Sequence, residues 1–189
     1  MSTTDRASQH GFAAFVPWAA WAAMTVAATW FVFVHASRFP FADDVAMLAL
    51  KRHDLSVDWN WLWTAHNDHR LPLVRLCMLG LLELCGGDFR APLVLHIVSL
   101  ALISAVLIAA ARELRGRPSV ADAFFPLVWM SWGNAENLLW SHQLQMTLTS
   151  VGVMATVLAL ARTVVRRGWL ALAGLCTLAL PLCGGGGVA

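Results

Sequence analysis

The chain has 189 residues, of which 59% are hydrophobic and 13% charged, with a net charge of +2 and a mean hydropathy of +0.64. A soluble domain carries about a quarter charged residues, so water is not the principal solvent here, and the small net charge excludes a basic field for nucleic acid. Ten tryptophans without a tyrosine suit aromatic rings at headgroup level, and Cys77, Cys85, Cys176 and Cys183 lack the paired short spacings of a zinc site or disulfide framework.

Crossing about 30 Å of hydrocarbon takes roughly 20 apolar residues in a helix. The first such stretch covers residues 12–35, with no Lys, Arg, Asp or Glu between Arg6 and Arg38. Val34-His35-Ala36 faintly resembles a signal-peptide cleavage site, but the run exceeds the usual h-region of roughly 7 to 15 residues and lacks a strongly basic start. Residues 36–90 form a long polar excursion, a kind of loop that is usually functional. Asp43 to His53 reads as a short helix, followed by a bend at Trp59, Trp61 and Trp63. His66-Asn67-Asp68-His69-Arg70 comes next, ahead of an apolar stretch, Leu71 to Cys85, interrupted by Arg75 and Glu83. That stretch is too short and too charged for an easy crossing and is expected as an interfacial helix, ended by Gly86 and Gly87.

Further spans are expected at 91–111, 118–132, 138–161 and 168–183. The span at 118–132 rests on parity. Arg112, Arg115 and Arg117 form one basic cluster and Arg162, Arg166 and Arg167 another; placing both inside requires two crossings between them. The expected fold class is therefore all-α, a single polytopic membrane helical bundle over 1–189 with about five transmembrane helices. Its long outer loop carries short interfacial helices.

The polar residues of the outer loops offer chemistry alongside plainer roles. Asp43 and Asp44 precede a helix, where a carboxylate caps backbone N–H groups; one held at the membrane surface can also serve as general base toward a hydroxyl. His66 and His69, three apart, would share a helix face. They can hold a metal, make interfacial hydrogen bonds, or grip an anion with Arg70, whose guanidinium matches phosphate. A third metal ligand is not supplied locally, and zinc normally needs three or four; no metal site is assigned and no cofactor is demanded, although a divalent cation is compatible. Lys51 and Arg52 add positive charge, as basic residues near anionic headgroups commonly do. Glu136 is expected on the same membrane face as Asp43, converging with it on one cavity. Trp140, His142, Gln143 and Gln145 follow at the top of a span, where amides commonly bond neighbouring helices.

The Asp pair after the first span, the HNDHRLPL string, the GGDFRAPL turn into the second span and the arginine-rich inner turn together resemble the GT-C class of membrane glycosyltransferases. Its protein mannosyltransferases and lipid A aminoarabinose transferases are the nearest named groups, over roughly Arg38 to His142. The resemblance implies transfer of a sugar from a polyprenyl-phosphate donor in the membrane lipid to an acceptor glycan, lipid or protein at the outer face, in the cell envelope. It puts Asp43 in the place of the base, with Asp44 and Glu136 as positioning groups, and His66, His69, Arg70 and Lys51 on the substrate side. It also implies a bacterial plasma membrane, with the site facing the periplasm or exterior. This chain has Asp-Asp where those groups commonly have Asp-Glu, and His69-Arg70-Leu71-Pro72 in place of a Lys-Pro-Pro-like string. Such enzymes have many more spans, so the chain is expected to be an amino-terminal fragment. A non-catalytic scaffold or a transporter subunit is the alternative, the latter disfavoured by polar residues that gather in outer loops instead of at mid-membrane.

Overall fold

The computed structural model describes residues 3–45, 59–66, 69–162 and 167–184. Lys51 and most of the helix expected from Asp43 to His53 lie outside these residues. Among the described residues the architecture is helical throughout, apart from an antiparallel bridge between His66 and His69. The helices are α1 (Thr3–His35), α2 (Trp59–Trp63), α3 (Pro72–Leu84), α4 (Arg90–Arg115), α5 (Phe124–Trp129), α6 (Ala135–Leu139), α7 (Leu144–Arg162) and α8 (Gly168–Ala179). Three stretches, Gly11–His35, Arg90–Arg115 and Ser141–Arg162, are long and apolar enough to cross a membrane. That is the architecture of a membrane protein.

The other two expected spans take different forms. Residues 118–132 do not make one helix: a 3-10 turn at Val120–Ala123 leads into the six-residue α5, only about 9 Å long. The chain then leaves the helix at Ser131, whose φ of -73° and ψ of 150° are extended. α8 and the 3-10 turn Leu180–Cys183 that continues it reach about 25 Å together, short of the hydrocarbon thickness of about 30 Å. The expected span 138–161 begins later, because Trp140 is extended and Ser141–Gln143 forms a separate 3-10 turn before α7.

The chain divides into two compact units, Met1–Ala36 with Ile97–Leu139 and Ser37–His96 with Trp140–Ala189. In the first, α1 turns a narrow stripe inward, Ala28 and Val32 being fully buried, while Phe12, Phe15, Val26 and Phe33 stand exposed. So broad an apolar surface suits lipid rather than water. Two hydroxyls on this helix are satisfied within it, Thr25 Oγ1 donating to Trp21 O and Thr29 Oγ1 to Thr25 O, both at 2.7 Å. Trp21 Nε1 donates to Ala101 O of α4 at 2.8 Å. The turn after α4 is fastened by an ion pair between Arg115 and the buried Asp122.

In the second unit, Leu71, Val74, Met78 and Leu82 recur at three- and four-residue intervals along one face of α3 and pack with Phe89, Leu144 and Cys183. Truncating a fully buried member such as Met78 to alanine costs about 2–5 kcal/mol, cavity included. Pro72 starts α3 at a position where its missing N–H is harmless. Gly86, at a φ of 65°, ends it, and Gly87 N donates to Leu82 O at 2.7 Å, the six-to-one bond of a left-handed helix stop. Asp88 then caps α4: its Oδ1 accepts from Arg90 N at 3.0 Å, and its carboxylate pairs with the Arg90 guanidinium at 2.7 Å.

Candidate functional site

Three separate segments of the second unit meet around Asp43. The first is a 3-10 turn over residues 42–45 that opens with Ala42, whose φ of 50° is left-handed; such a conformation costs a non-glycine residue about 1–2 kcal/mol. The two following carboxylates go to different places. Asp43 is partly exposed, and its Oδ2 lies 3.6 Å from His66 Nε2. Asp44 is 2% exposed, accepting from Phe41 N at 3.3 Å.

Burial pushes the Asp44 carboxyl above the ordinary carboxylate range, the nearby Asp43 charge adding slightly. The Ser141 hydroxyl and the backbone N–H groups of Phe41 and His142 draw it partly back. Asp44 therefore ties the first segment to the 3-10 turn ahead of α7. It is a structural tether more than a group open to a reactant.

The second segment is placed by Arg75. This side chain, 3% exposed, projects from α3 to the end of α2, where Nη1 sits 2.5 Å from Trp61 O, 3.1 Å from Leu62 O and 2.6 Å from Thr64 O. Its guanidinium also lies 4.7 Å from the centre of the Trp61 ring. Carbonyls at a helix end carry the negative pole of the helix and attract a cation. Arg75 thus pins the residues leading to His66, whose backbone pairs with that of His69 (His66 N to His69 O, 2.7 Å). The two histidines consequently do not share a helix face: His66 turns toward Asp43, while His69 and Arg70 are exposed.

The third segment supplies His142, which the sequence offers only as a polar residue atop a span. It is 3% exposed, its ring stacks on Trp140, and its centroid lies 4.7 Å from that of His66. Asp43, His66 and His142 each present one ligand-capable atom, and these atoms all lie within 4.8 Å of one another. Two of the three groups come from segments distant from His66, and His69, its partner in the sequence pattern, is not among them. Deeper in the same unit, Thr147 Oγ1 and His96 Nδ1 are 2.7 Å apart, a buried link between α7 and α4.

Of the remaining expected site residues, Glu136 stands exposed on α6 in the other unit, and Lys51 lies outside the described residues. What the arrangement around Asp43 offers chemically is a carboxylate backed by two imidazoles, one face of it open. No protein-family model, curated protein or solved structure matches the chain.

Proposed function

We propose that the chain belongs to a membrane glycosyltransferase that moves a sugar from a polyprenyl-phosphate carrier to an acceptor hydroxyl at the outer membrane face. The observation that carries this reading is Asp43: a partly exposed carboxylate, just beyond the end of a span-length helix, held 3.6 Å from an imidazole. In this reaction the acceptor oxygen forms a bond to the anomeric carbon as the bond from that carbon to the phosphate oxygen breaks. The hydroxyl proton passes to the Asp43 carboxylate, and the carrier departs as its phosphate anion. Phosphate leaves without protonation, so activating the acceptor is the main task left to the protein. In-line attack inverts the anomeric centre. His69 and Arg70, exposed on the chain that leads from His66 into α3, are the cations suited to the departing phosphate.

Within this reading Asp44 acts as a positioning residue. Glu136 and Lys51 are retained as candidates for the acceptor and donor sides. The test is consumption of a polyprenyl-phosphate sugar by membranes containing the protein. Asp43→Asn should lower it by about 10²- to 10⁴-fold, the usual contribution of a general base, at equal protein abundance. Undiminished turnover would remove Asp43 from the role. A non-catalytic scaffold is the second reading, favoured by the structural uses that Asp44 and Arg75 already have; no sugar turnover by the wild-type protein under any donor would favour it.

A further inference from the structure

We propose that Asp43, His66 and His142 form a binding site for one divalent transition-metal ion, zinc above all, with an open coordination position. The site shares a carboxylate with the transferase reading but does not depend on it.

Geometry is the first support. Zinc bonds of about 2.0–2.2 Å to nitrogen and oxygen place neighbouring tetrahedral ligands about 3.4 Å apart. The Asp43 Oδ2 to His66 Nε2 separation of 3.6 Å is already close to that value. All three ligand-capable atoms already lie within 4.8 Å of one another, so side-chain rotations that move them by about 1 Å bring the set to that spacing.

The second support is independent of spacing. His142 is 3% exposed, yet its Nδ1 has no hydrogen-bond partner among the described residues, and the same holds for the buried Nε2 of His66. Buried polar atoms are ordinarily paired. Two imidazole nitrogens shielded from water, beside a carboxylate and without donors of their own, are what a cation would satisfy. Neutral imidazole nitrogen and carboxylate oxygen are both suitable zinc donors, and three protein ligands leave a fourth position for water or a substrate oxygen. Magnesium and calcium prefer all-oxygen surroundings, which these two histidines do not offer.

Supporting residues hold the trio in place. Asp44 and the Ser141–Gln143 turn fix the approach of His142, and Arg75 fixes that of His66, the kind of outer support that metal ligands commonly have. A metal would fasten three segments that are far apart in the chain. It would also leave the second Asp43 oxygen free to accept a proton. The oxygen drawn to the open position would be a hydroxyl or a phosphate oxygen.

The experiment uses the full chain, purified in detergent, stripped with chelator and titrated with zinc against a competing fluorescent chelator, then with cobalt(II) followed by its visible absorption. One ion per chain is expected, with a cobalt spectrum of low coordination number. His66→Ala and His142→Ala should each weaken zinc by on the order of 100-fold, Asp43→Asn by at least about 10-fold, and His69→Ala not at all. Should His142→Ala fail to accumulate, His66→Ala and Asp43→Asn carry the same comparison from less buried positions. Absence of stoichiometric metal, or affinity indifferent to the His66 and Asp43 changes, overturns the site. Metal bound without sugar transfer would overturn the transferase reading alone, whereas transfer persisting in stripped protein that takes up no metal would overturn the metal site alone.

Discussion

Arg75 is a buried cation that closes the end of α2 with three carbonyls and a tryptophan face. Hydrogen bonds to a charged group contribute about 1.5–3 kcal/mol, and removing the cation leaves those carbonyls uncapped. Arg75→Leu should therefore lower unfolding stability in detergent by about 3 kcal/mol and expose the Trp61 region to protease. Arg75→Lys should recover only part, because an ammonium is a point charge without the planar fork. Equal melting temperatures for wild type and Arg75→Leu would show that the contacts to α2 contribute nothing. The charge is legible in sequence, but its partners are carbonyls, which leave no signature there; hence this anchor of the site goes unseen until the fold is known.

Among the elements, the entry to α4 is set by Asp88, and its energetics depend on pH. The hydrogen bond from Arg90, with the charges of Arg90 and Arg38, holds the Asp88 carboxyl below its ordinary range. A carboxylate whose pKa is lower in the folded state adds stability above its unfolded pKa, about 3.9, and loses it as pH falls through the folded value. Asp88→Asn should thus be less stable than wild type at neutral pH, with the difference narrowing below about pH 4, as read from thermal unfolding across that range. A difference that persists undiminished at low pH would assign the effect to capping geometry alone. Asp88→Ala, which also removes the acceptor of Arg90 N, should cost about 1 kcal/mol. At the far end of the chain, Gly184 has a φ of 129°, and a Cβ there would stand 2.7 Å from Leu71 Cδ2. Gly184→Ala should lower the melting temperature by an amount equivalent to about 2 kcal/mol; an unchanged midpoint would mean that Leu71 gives way freely. Long elements were the most readable: α1 and α4 follow directly from unbroken apolar runs. The late start of α7 was not, since the extended backbone at Trp140 and the 3-10 turn after it are tertiary choices, and they are what brings His142 to Asp43.

For the whole molecule, the number of membrane crossings turns on the path of residues 118–132 in the first unit. The 118–132 stretch is not a span-length helix, yet successive parts of it and its flanks meet α1 in order. Arg112 and Gly116 share a cleft with Trp18, Met130 Sδ lies 3.7 Å from Thr25 Oγ1, and Trp132 stacks on Phe31 with centroids 5.6 Å apart. At 1.5 Å per residue, Trp18 and Phe31 are about 20 Å apart along α1, so the stretch from Arg112 to Trp132, the end of α4 included, runs beside about 20 Å of that helix. The break itself is accommodated: Asn134 Nδ2 donates to Val128 O at 2.9 Å, satisfying a carbonyl that the end of α5 leaves free. Irregular backbone is tolerated at membrane depth where protein supplies such partners. By the parity of the two arginine clusters, this path is expected to cross the membrane. Single cysteines introduced at Arg117 and at Gly133, in a chain whose four native cysteines are replaced, should label from opposite faces in intact cells, Arg117 from the inside. Labelling of both from one face would mean that the segment returns to the side it left and that the second arginine cluster lies outside.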